Sequence, residues 1–202
     1  MIKNGGTVIM YANQPVLARS HEALLTVVRG VAPADWQRPT PCGEWNAAQV
    51  LQHAAGDQLG YAAFLGEGTG PAEDPFAPSG KLGDEPSVVA EAAVRAAAVA
   101  WPRIPADQAE VPVPLPPNTM PAALGVRACA LDAAVHAWDI AVATGQPSPL
   151  TPELAAELLG AARQFVEPVR AFAFAPVVPA EPGDDAVVEL LKYLGRRPDW
   201  TA

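Results

Sequence analysis

Cysteine is scarce in this chain. Among 202 residues, only Cys42 and Cys129 are cysteines, which is too few for a disulfide framework. Proteins that fold without disulfides are typical of reducing compartments. We therefore expect a cytoplasmic location.

Basic residues are also few. Lysine and arginine together number 13 against 22 acidic residues, and the formal net charge is −9. Surfaces that bind nucleic acid or anionic membranes need clustered positive charge, and the densest basic stretch here is the pair Arg196 and Arg197. The composition therefore argues against nucleic acid and against a membrane surface as partners.

Long apolar runs are missing as well. Charged residues or prolines interrupt the alanine-rich stretches, so none predicts a transmembrane span, and the first residues lack the apolar segment of a signal peptide. Half of the residues are nevertheless hydrophobic, enough for a sizeable core. We expect one domain over residues 1–202, with a flexible lead-in at 1–12 and a C-terminal extension, residues 171–202, that packs on the rest.

What is abundant is apolar residues at helical spacing. The pattern predicts helices over residues 15–31, 46 or 47 to 65, 86–101, 121–144 and 151–170, and a short helix over 185–194 capped by Asp184. Between them we expect a mobile surface loop at 66–85, an edge strand or polyproline segment at 111–117 and a proline-rich linker at 172–183. The predicted fold class is all-α, a four-helix bundle with crossover loops and a short C-terminal helix.

Asp132 and His136 lie four residues apart in the fourth predicted helix, so they share one face of it. Their neighbours are alanine, valine, leucine and isoleucine, which cannot satisfy a buried carboxylate. A charge in that setting needs a partner or a metal ion. The pair alone is equally compatible with an intrahelical hydrogen bond or a solvated face.

His53 is the candidate for a third ligand. It lies in the middle of the second predicted helix, near Gly56 and Gly60, where the missing side chains allow another element to approach closely. Two histidines and one carboxylate, with an open coordination position, form a recurring catalytic metal site. His53 is otherwise a hydrogen-bonded core residue, and His21, on the first helix, is expected to be solvated.

Several motifs together resemble a known family. They are TPCGEW at residues 40–45 followed by His53, DAAVHAWD at 132–139, ATGQ at 143–146, and the C-terminal FAPVVP at 174–179 and LLKYLGR at 190–196. Over about residues 17–200 the chain resembles the mycothiol-dependent maleylpyruvate isomerase N-terminal domain group. That group belongs to the DinB-like superfamily of metal-binding four-helix bundles, and the C-terminal motifs resemble its actinobacterial metal-binding branch.

The resemblance implies that His53, Asp132 and His136 are metal ligands and form the catalytic centre. The characterised isomerase has glutamate where this chain has Asp132, and the shorter side chain leaves the choice of metal open. Zinc is the default ion for two histidines and a carboxylate, and nickel suits the same ligands. The resemblance further implies mycothiol, a low-molecular-weight thiol, as co-substrate.

Four other residues near the site have open roles. Cys129 shares the face of Asp132 and His136, where it is either a metal-site residue or a small buried hydrophobe. Asp139 and Asp57 follow the two histidines by three and four residues, so each is placed to orient an imidazole, to bond elsewhere or to face solvent. Cys42 is expected to pack, because no basic residue is close in sequence.

The favoured hypothesis is a metal-dependent thiol S-transferase or isomerase acting on a small electrophile. The alternatives are metal-assisted hydrolysis or another specialised biosynthetic reaction, a non-catalytic module for a metal or small ligand, and a polar core network without metal. Arg127, Arg163, Gln164 and the loop at residues 66–85 are candidates for polar contacts to the thiol. The expected state is a monomer or a homodimer.

Overall fold

The protein is mostly helical. A computed structural model describes residues 14–43, 45–105 and 107–201, and the lead-in predicted at residues 1–12 therefore lies outside the described residues. In chain order the elements are helices α1 (Pro15–Gly30), α2 (Ala47–Phe64) and α3 (Pro86–Ala100), strands β1 (Glu110–Pro112) and β2 (Thr119–Pro121), and helices α4 (Ala122–Ala143), α5 (Pro152–Ala173) and α6 (Ala186–Tyr193). Short 3-10 turns cover Asp35–Gln37 and Trp101–Arg103.

The helix starts follow local capping chemistry. The Asn46 side chain accepts a hydrogen bond from the backbone N–H of Gln49, and the Gln49 side chain accepts one from the Asn46 N–H, which together form a capping box. Thr151 caps α5 in the predicted way, since its hydroxyl accepts from the N–H of Leu154. These caps are encoded within four residues, so the sequence identifies them.

The C-terminal part differs from the prediction in two places. The cap of α6 is Asp185, whose carboxylate accepts from the N–H groups of Val187 and Val188, whereas Asp184 forms an ion pair of 2.8 Å with Lys192. Helix α5 runs through Pro168 and ends at Ala173 instead of about residue 170. Asp184 and Asp185 are adjacent, and either could cap the helix. The sequence does not show which of the two forms the ion pair with Lys192.

The proline-rich segment predicted at residues 111–117 forms half of a hairpin. Val111 of β1 pairs with Met120 of β2 in an antiparallel register, and both side chains are buried. This two-stranded sheet is the only sheet among the described residues. The edge-strand interpretation is therefore correct over residues 110–112, and the prolines that follow form the turn region.

Helix α4 is surrounded by other elements. It contacts α1, α2 and α5, and α3 packs against α1 and α2 on the other side. Its residues are apolar around most of the circumference, the pattern of a helix buried on all sides. The polar side chains in the middle of α4, Asp132, His136 and Asp139, are therefore largely withdrawn from water. No helix within the described ranges is long and apolar enough to cross a membrane.

The C-terminal segment folds back onto this core. Helix α6 packs against α5, and the buried leucines Leu190, Leu191 and Leu194 belong to the same apolar cluster as Leu131 and Val135 of α4. Gly195, at φ +79°, turns the chain after α6, and Arg196 follows it into the interior. This return brings residues near the C-terminus to the face of α4 that carries Asp132 and His136.

Candidate metal centre

His53, Asp132 and His136 meet between α2 and α4. The Nε2 atoms of His53 and His136 lie 3.5 Å and 3.3 Å from the same carboxylate oxygen of Asp132. One ligand atom from each of the three residues lies within 4.8 Å of the others. The imidazole rings face each other edge to face at 4.7 Å. This arrangement can hold one small divalent cation.

The His53 ring is oriented by the segment between α2 and α3. Its Nδ1 lies 2.7 Å from the carbonyl oxygen of Pro75, so the Nδ1–H donates there and Nε2 keeps its lone pair. Gly56 makes this approach possible, because a Cβ at that position would lie 3.0 Å from the Pro75 ring. The glycine therefore has the role predicted from the sequence. Phe76 packs edge-on against His53, so part of the predicted surface loop covers the site.

The His136 ring is oriented by a buried ion pair. Its Nδ1 lies 2.9 Å from Oδ2 of Asp139, and the guanidinium of Arg196 donates to both carboxylate oxygens of Asp139, at 2.8 Å and 3.2 Å. Asp139 is fully buried and Arg196 is 7% exposed. Asp139 thus holds the His136 ring with its Nε2 toward Asp132, as hydrogen-bonded acceptors commonly do for metal-binding histidines.

Asp132 is positioned by a network of polar side chains beneath it. Its Oδ1 accepts a hydrogen bond from Nε2 of Gln58, which also donates to the backbone carbonyl of Cys129. The Gln58 side-chain oxygen accepts from the Cys129 thiol, at 3.0 Å, and lies 2.8 Å from Nε2 of His21. Cys129 is thus a buried partner of Gln58 and does not line the cavity. The expectation of a solvated His21 is wrong, because His21 is 1% exposed.

The buried charges shift one another's pKa values. Burial by itself raises the pKa of Asp132, but the charges and hydrogen bonds of His136 and His53 outweigh it and hold that pKa well below its usual range. Burial by itself lowers the pKa of His136. The charge and hydrogen bond of Asp132 and the hydrogen bond to Asp139 outweigh burial, so the pKa of His136 is raised above its ordinary value. Burial also opposes ionisation of Asp139, and Arg196 more than offsets it and lowers the Asp139 pKa. Asp132 and Asp139 are therefore carboxylates at neutral pH.

Asp57 differs from the other two aspartates. It lies one helical turn after His53, is 9% exposed and lines the same cavity. Burial, followed by the negative charge of Asp132, raises its pKa to about 7. A carboxyl group with that pKa exchanges protons readily at neutral pH, which is the property of a general base. No hydrogen bond from Asp57 to His53 orients that ring, since Pro75 occupies its Nδ1.

A cavity of about 190 Å³ opens onto the three candidate ligands. Its polar end is formed by His53, Asp57, Asp132 and His136, with Cys42 and Arg196 beside them. The remaining lining is apolar and largely aromatic. The donor set fits a divalent metal with one side open, since both Nε2 atoms and one carboxylate oxygen converge at the floor of a cavity large enough for a small ligand.

Two expectations about the surroundings are wrong. Cys42 does have a basic neighbour, because Nη2 of Arg196 lies 3.8 Å from its sulfur and the side chain borders the cavity. The side-chain candidates for polar contacts to a thiol, Arg127, Arg163 and Gln164, do not line the cavity. Arg127 and Arg163 lie near acidic partners at 3.5 Å and 3.8 Å instead.

Several residues of the site carry no signal in the sequence that identifies them. Arg196 lies 57 positions from Asp139, and nothing local shows that it is buried. Gln58 and Pro75 act through a side-chain amide and a backbone carbonyl, which have no motif. The aromatic residues of the cavity are dispersed along the chain. A single indication existed for Arg196, since it stands in the C-terminal motif LLKYLGR.

Comparisons with known proteins agree with this geometry. The family model described as "Mycothiol maleylpyruvate isomerase N-terminal domain" matches residues 17–141. Two uncharacterised proteins of Mycobacterium tuberculosis, from strains CDC 1551 and H37Rv, are each 33% identical to the chain over 193 residues, covering 90% of this chain and 97% of each relative. No solved structure matches. The chain therefore belongs to the mycothiol maleylpyruvate isomerase N-terminal domain family.

Proposed function

We propose that this protein binds one divalent metal ion through Nε2 of His53, a carboxylate oxygen of Asp132 and Nε2 of His136. The observation that carries the proposal is the orientation of both imidazoles. Each Nδ1 is bonded to an acceptor, the half-buried Pro75 carbonyl in one case and the buried Asp139 carboxylate in the other, so both Nε2 atoms point at Asp132. The proposed fold is the DinB-like four-helix bundle, formed by α1 to α4, each of which packs against two of the others.

We further propose that the metal serves the transfer of a low-molecular-weight thiol, mycothiol in the family's description, to a small electrophile. A bound divalent ion would lower the pKa of the thiol and hold its sulfur beside the electrophilic carbon. Zinc is the proposed ion, with nickel as the alternative. The reducing interior of the cell, where such thiols stay reduced, is the proposed location.

The protein's own residues supply a proton acceptor and an apolar enclosure. Asp57 borders the cavity beside Asp132, and burial raises the pKa of its carboxyl group, so its carboxylate is a better proton acceptor than a solvated one. The S–H bond breaks and the proton goes to Asp57, while the sulfur adds to an electrophilic carbon–carbon double bond whose π electrons move onto the conjugated carbonyl oxygen as an enolate. In a transfer, the enolate carbon takes the proton back from Asp57. In an isomerisation, the former double bond rotates, the enolate expels the thiolate as the double bond re-forms, and Asp57 returns the proton to the sulfur. The aromatic lining excludes water, which would otherwise compete as nucleophile.

Asp57 also favours a second candidate, metal-assisted hydrolysis. The same carboxylate could take a proton from water, and the product would then contain a hydroxyl group instead of a thioether. Family membership and the apolar cavity both favour the thiol. A non-catalytic module has no specific support, because a general base beside a metal site is unnecessary for binding alone.

The first experiment is elemental analysis of protein purified without a histidine tag. We expect about one zinc or nickel per chain in the wild type. His53→Gln, Asp132→Asn and His136→Gln should each hold far less, whereas the control Asp199→Asn changes an exposed carboxylate outside the ligand set. A wild-type metal content well below one per chain, or variants that retain as much metal as the control, would contradict the site.

The second experiment addresses the thiol. In cobalt-substituted protein, mycothiol should shift the visible spectrum with saturation, and it should be consumed when an electrophile is added. Asp57→Asn should keep the metal and the spectral shift but slow thiol consumption. Full metal occupancy with no spectral response to mycothiol, combined with hydrolysis of an added ester, would favour the second candidate instead.

A further inference from the structure

The cavity has two chemically different ends. The metal-binding side chains form its floor, and aromatic and aliphatic side chains form the wall that faces them. This apolar wall includes Phe76, Leu115, Phe165, Phe172, Phe174 and Leu194. Phe76 and Phe172 are about half exposed and meet edge to face at 6.2 Å, so they stand at the mouth.

No lysine or arginine in the described lining of the cavity has an unpaired charge for a substrate. Arg196 is the one lysine or arginine among the described residues of the lining, and its Nε and Nη2 donate to Asp139 while its Nη1 donates to the carbonyl of Leu194. Two acidic residues, Asp57 and Asp132, lie at the floor. An anionic substrate would lose its hydration without gaining an ion pair from the wall, which is strongly unfavourable.

The wall is built from two parts of the chain. Phe165, Phe172, Phe174 and Leu194 follow residue 141, where the match to the family ends, whereas Phe76 and Leu115 lie within it. The candidate ligands thus come from the part of the chain that the family match covers, and the surface that a substrate body would touch comes partly from residues beyond it.

We propose that the cavity selects an uncharged electrophile with an aromatic or similarly apolar body, and that Phe172 and Phe76 hold this body at the mouth. That the ligand is an electrophile rests on the proposed function, whereas the preference for an uncharged apolar body rests on the residues of the wall alone. Maleylpyruvate, the substrate in the family's description, carries two carboxylates, so the proposal separates this chain from that substrate.

The test uses two dyes with the same aromatic body and different charge. N-phenyl-1-naphthylamine is uncharged, and 1-anilinonaphthalene-8-sulfonate adds one sulfonate. Both become fluorescent on entering an apolar site, and neither requires a metal ion. Each dye is titrated into metal-free and zinc-loaded full-length protein. We expect the uncharged dye to bind at one site per chain, at least roughly tenfold more tightly than the sulfonate.

Variants locate the binding. Phe172→Ala shortens a wall side chain that is half exposed, so the fold should tolerate the change. The affinity for the uncharged dye should fall by about five- to tenfold. The matched control is Phe64→Ala, since Phe64 is comparably exposed, at 44%, but does not line the cavity. The control should bind both dyes as the wild type does.

The outcomes separate this proposal from the proposed function. Equal affinity for the two dyes, absence of saturable binding, or equal effects of Phe172→Ala and Phe64→Ala would overturn the selection of an uncharged body. If the dyes behave as expected while the purified protein holds no metal, the proposed function fails and the apolar site stands.

Discussion

Replacement of Arg196 by methionine tests whether a buried ion pair holds the site together. Arg196 and Asp139 are withdrawn from water, and two hydrogen bonds join them. Methionine has a similar length and fills most of the space, but it donates nothing. In Arg196→Met the Asp139 carboxylate keeps His136 Nδ1 as its remaining side-chain partner.

The expected cost follows from leaving that carboxylate without its cation. Breaking a buried pair on one side typically costs about 3–5 kcal/mol. Because His136 still bonds to Asp139, we expect about 3 kcal/mol. The double variant Arg196→Met with Asp139→Asn removes both charges and should recover most of this loss. The control Arg19→Met breaks an exposed pair with Glu157 and should cost less than about 1 kcal/mol.

The assay is urea unfolding followed by circular dichroism, at pH 7 and at pH 3. The folded-state pKa of Asp139 lies below its ordinary value of 3.8, so the stability contributed by the pair is fully present above about pH 4 and is lost as pH falls through the folded pKa. The difference between wild type and Arg196→Met should therefore narrow at pH 3. A loss at pH 7 no larger than that of Arg19→Met, or a double variant as unstable as the single one, would refute the reasoning.

Two further predictions concern the buried His21 and two glycines at positive φ, Gly145 and Gly195. Burial lowers the pKa of His21 from its ordinary 6.5 to about 4. As pH falls, His21 is therefore protonated in the unfolded state before it is protonated in the folded state. The free energy of unfolding should fall by up to about 3 kcal/mol between pH 6.5 and pH 4. His21→Gln should remove that part of the pH profile in urea titrations, and an unchanged profile would contradict the assignment. Gly195→Ala would place a Cβ 2.6 Å from the Ala175 carbonyl at φ +79°, whereas Gly145→Ala has a similar φ, +71°, and open space. We expect thermal unfolding to show a loss of about 1 kcal/mol for Gly145→Ala and at least about 1 kcal/mol more for Gly195→Ala, and equal losses would argue against the close contact.

The features that the sequence predicts are those that depend on near neighbours. Helix α2 begins where Asn46 and Gln49 cap it, and Asp132 and His136 share a face because they are one helical turn apart. Their convergence with His53 was a prediction of the resemblance and of bundle geometry, and the structure brings the three side chains together. The all-helical class is correct in outline, apart from the small hairpin of β1 and β2.

The features that could not be predicted depend on distant parts of the chain. The partner of Asp139 is Arg196, whose side chain is buried, whereas the side chain of the adjacent Arg197 is exposed. The hydropathy of the sequence does not distinguish these two neighbouring arginines. His21 was expected in solvent because Glu22 follows it, yet α1 turns it toward Gln58 on α2. In both cases a polar side chain is buried because a specific partner receives it, and such pairs leave no periodic pattern in the sequence.

The contacts that orient the two imidazoles come from two segments that are far apart in the chain. Pro75 reaches His53 from the segment after α2, and Arg196 reaches His136, through Asp139, from beyond α6. A metal that binds only when both rings are oriented stabilises the docked state of both segments, by about 2.7 kcal/mol at a concentration of 100 times Kd. Because linkage is reciprocal, whatever loosens either segment must weaken metal binding by the same free energy. The C-terminal part of the chain contributes Phe172 to the apolar wall, so an apolar substrate that packs against Phe172 should tighten the metal site without touching the metal.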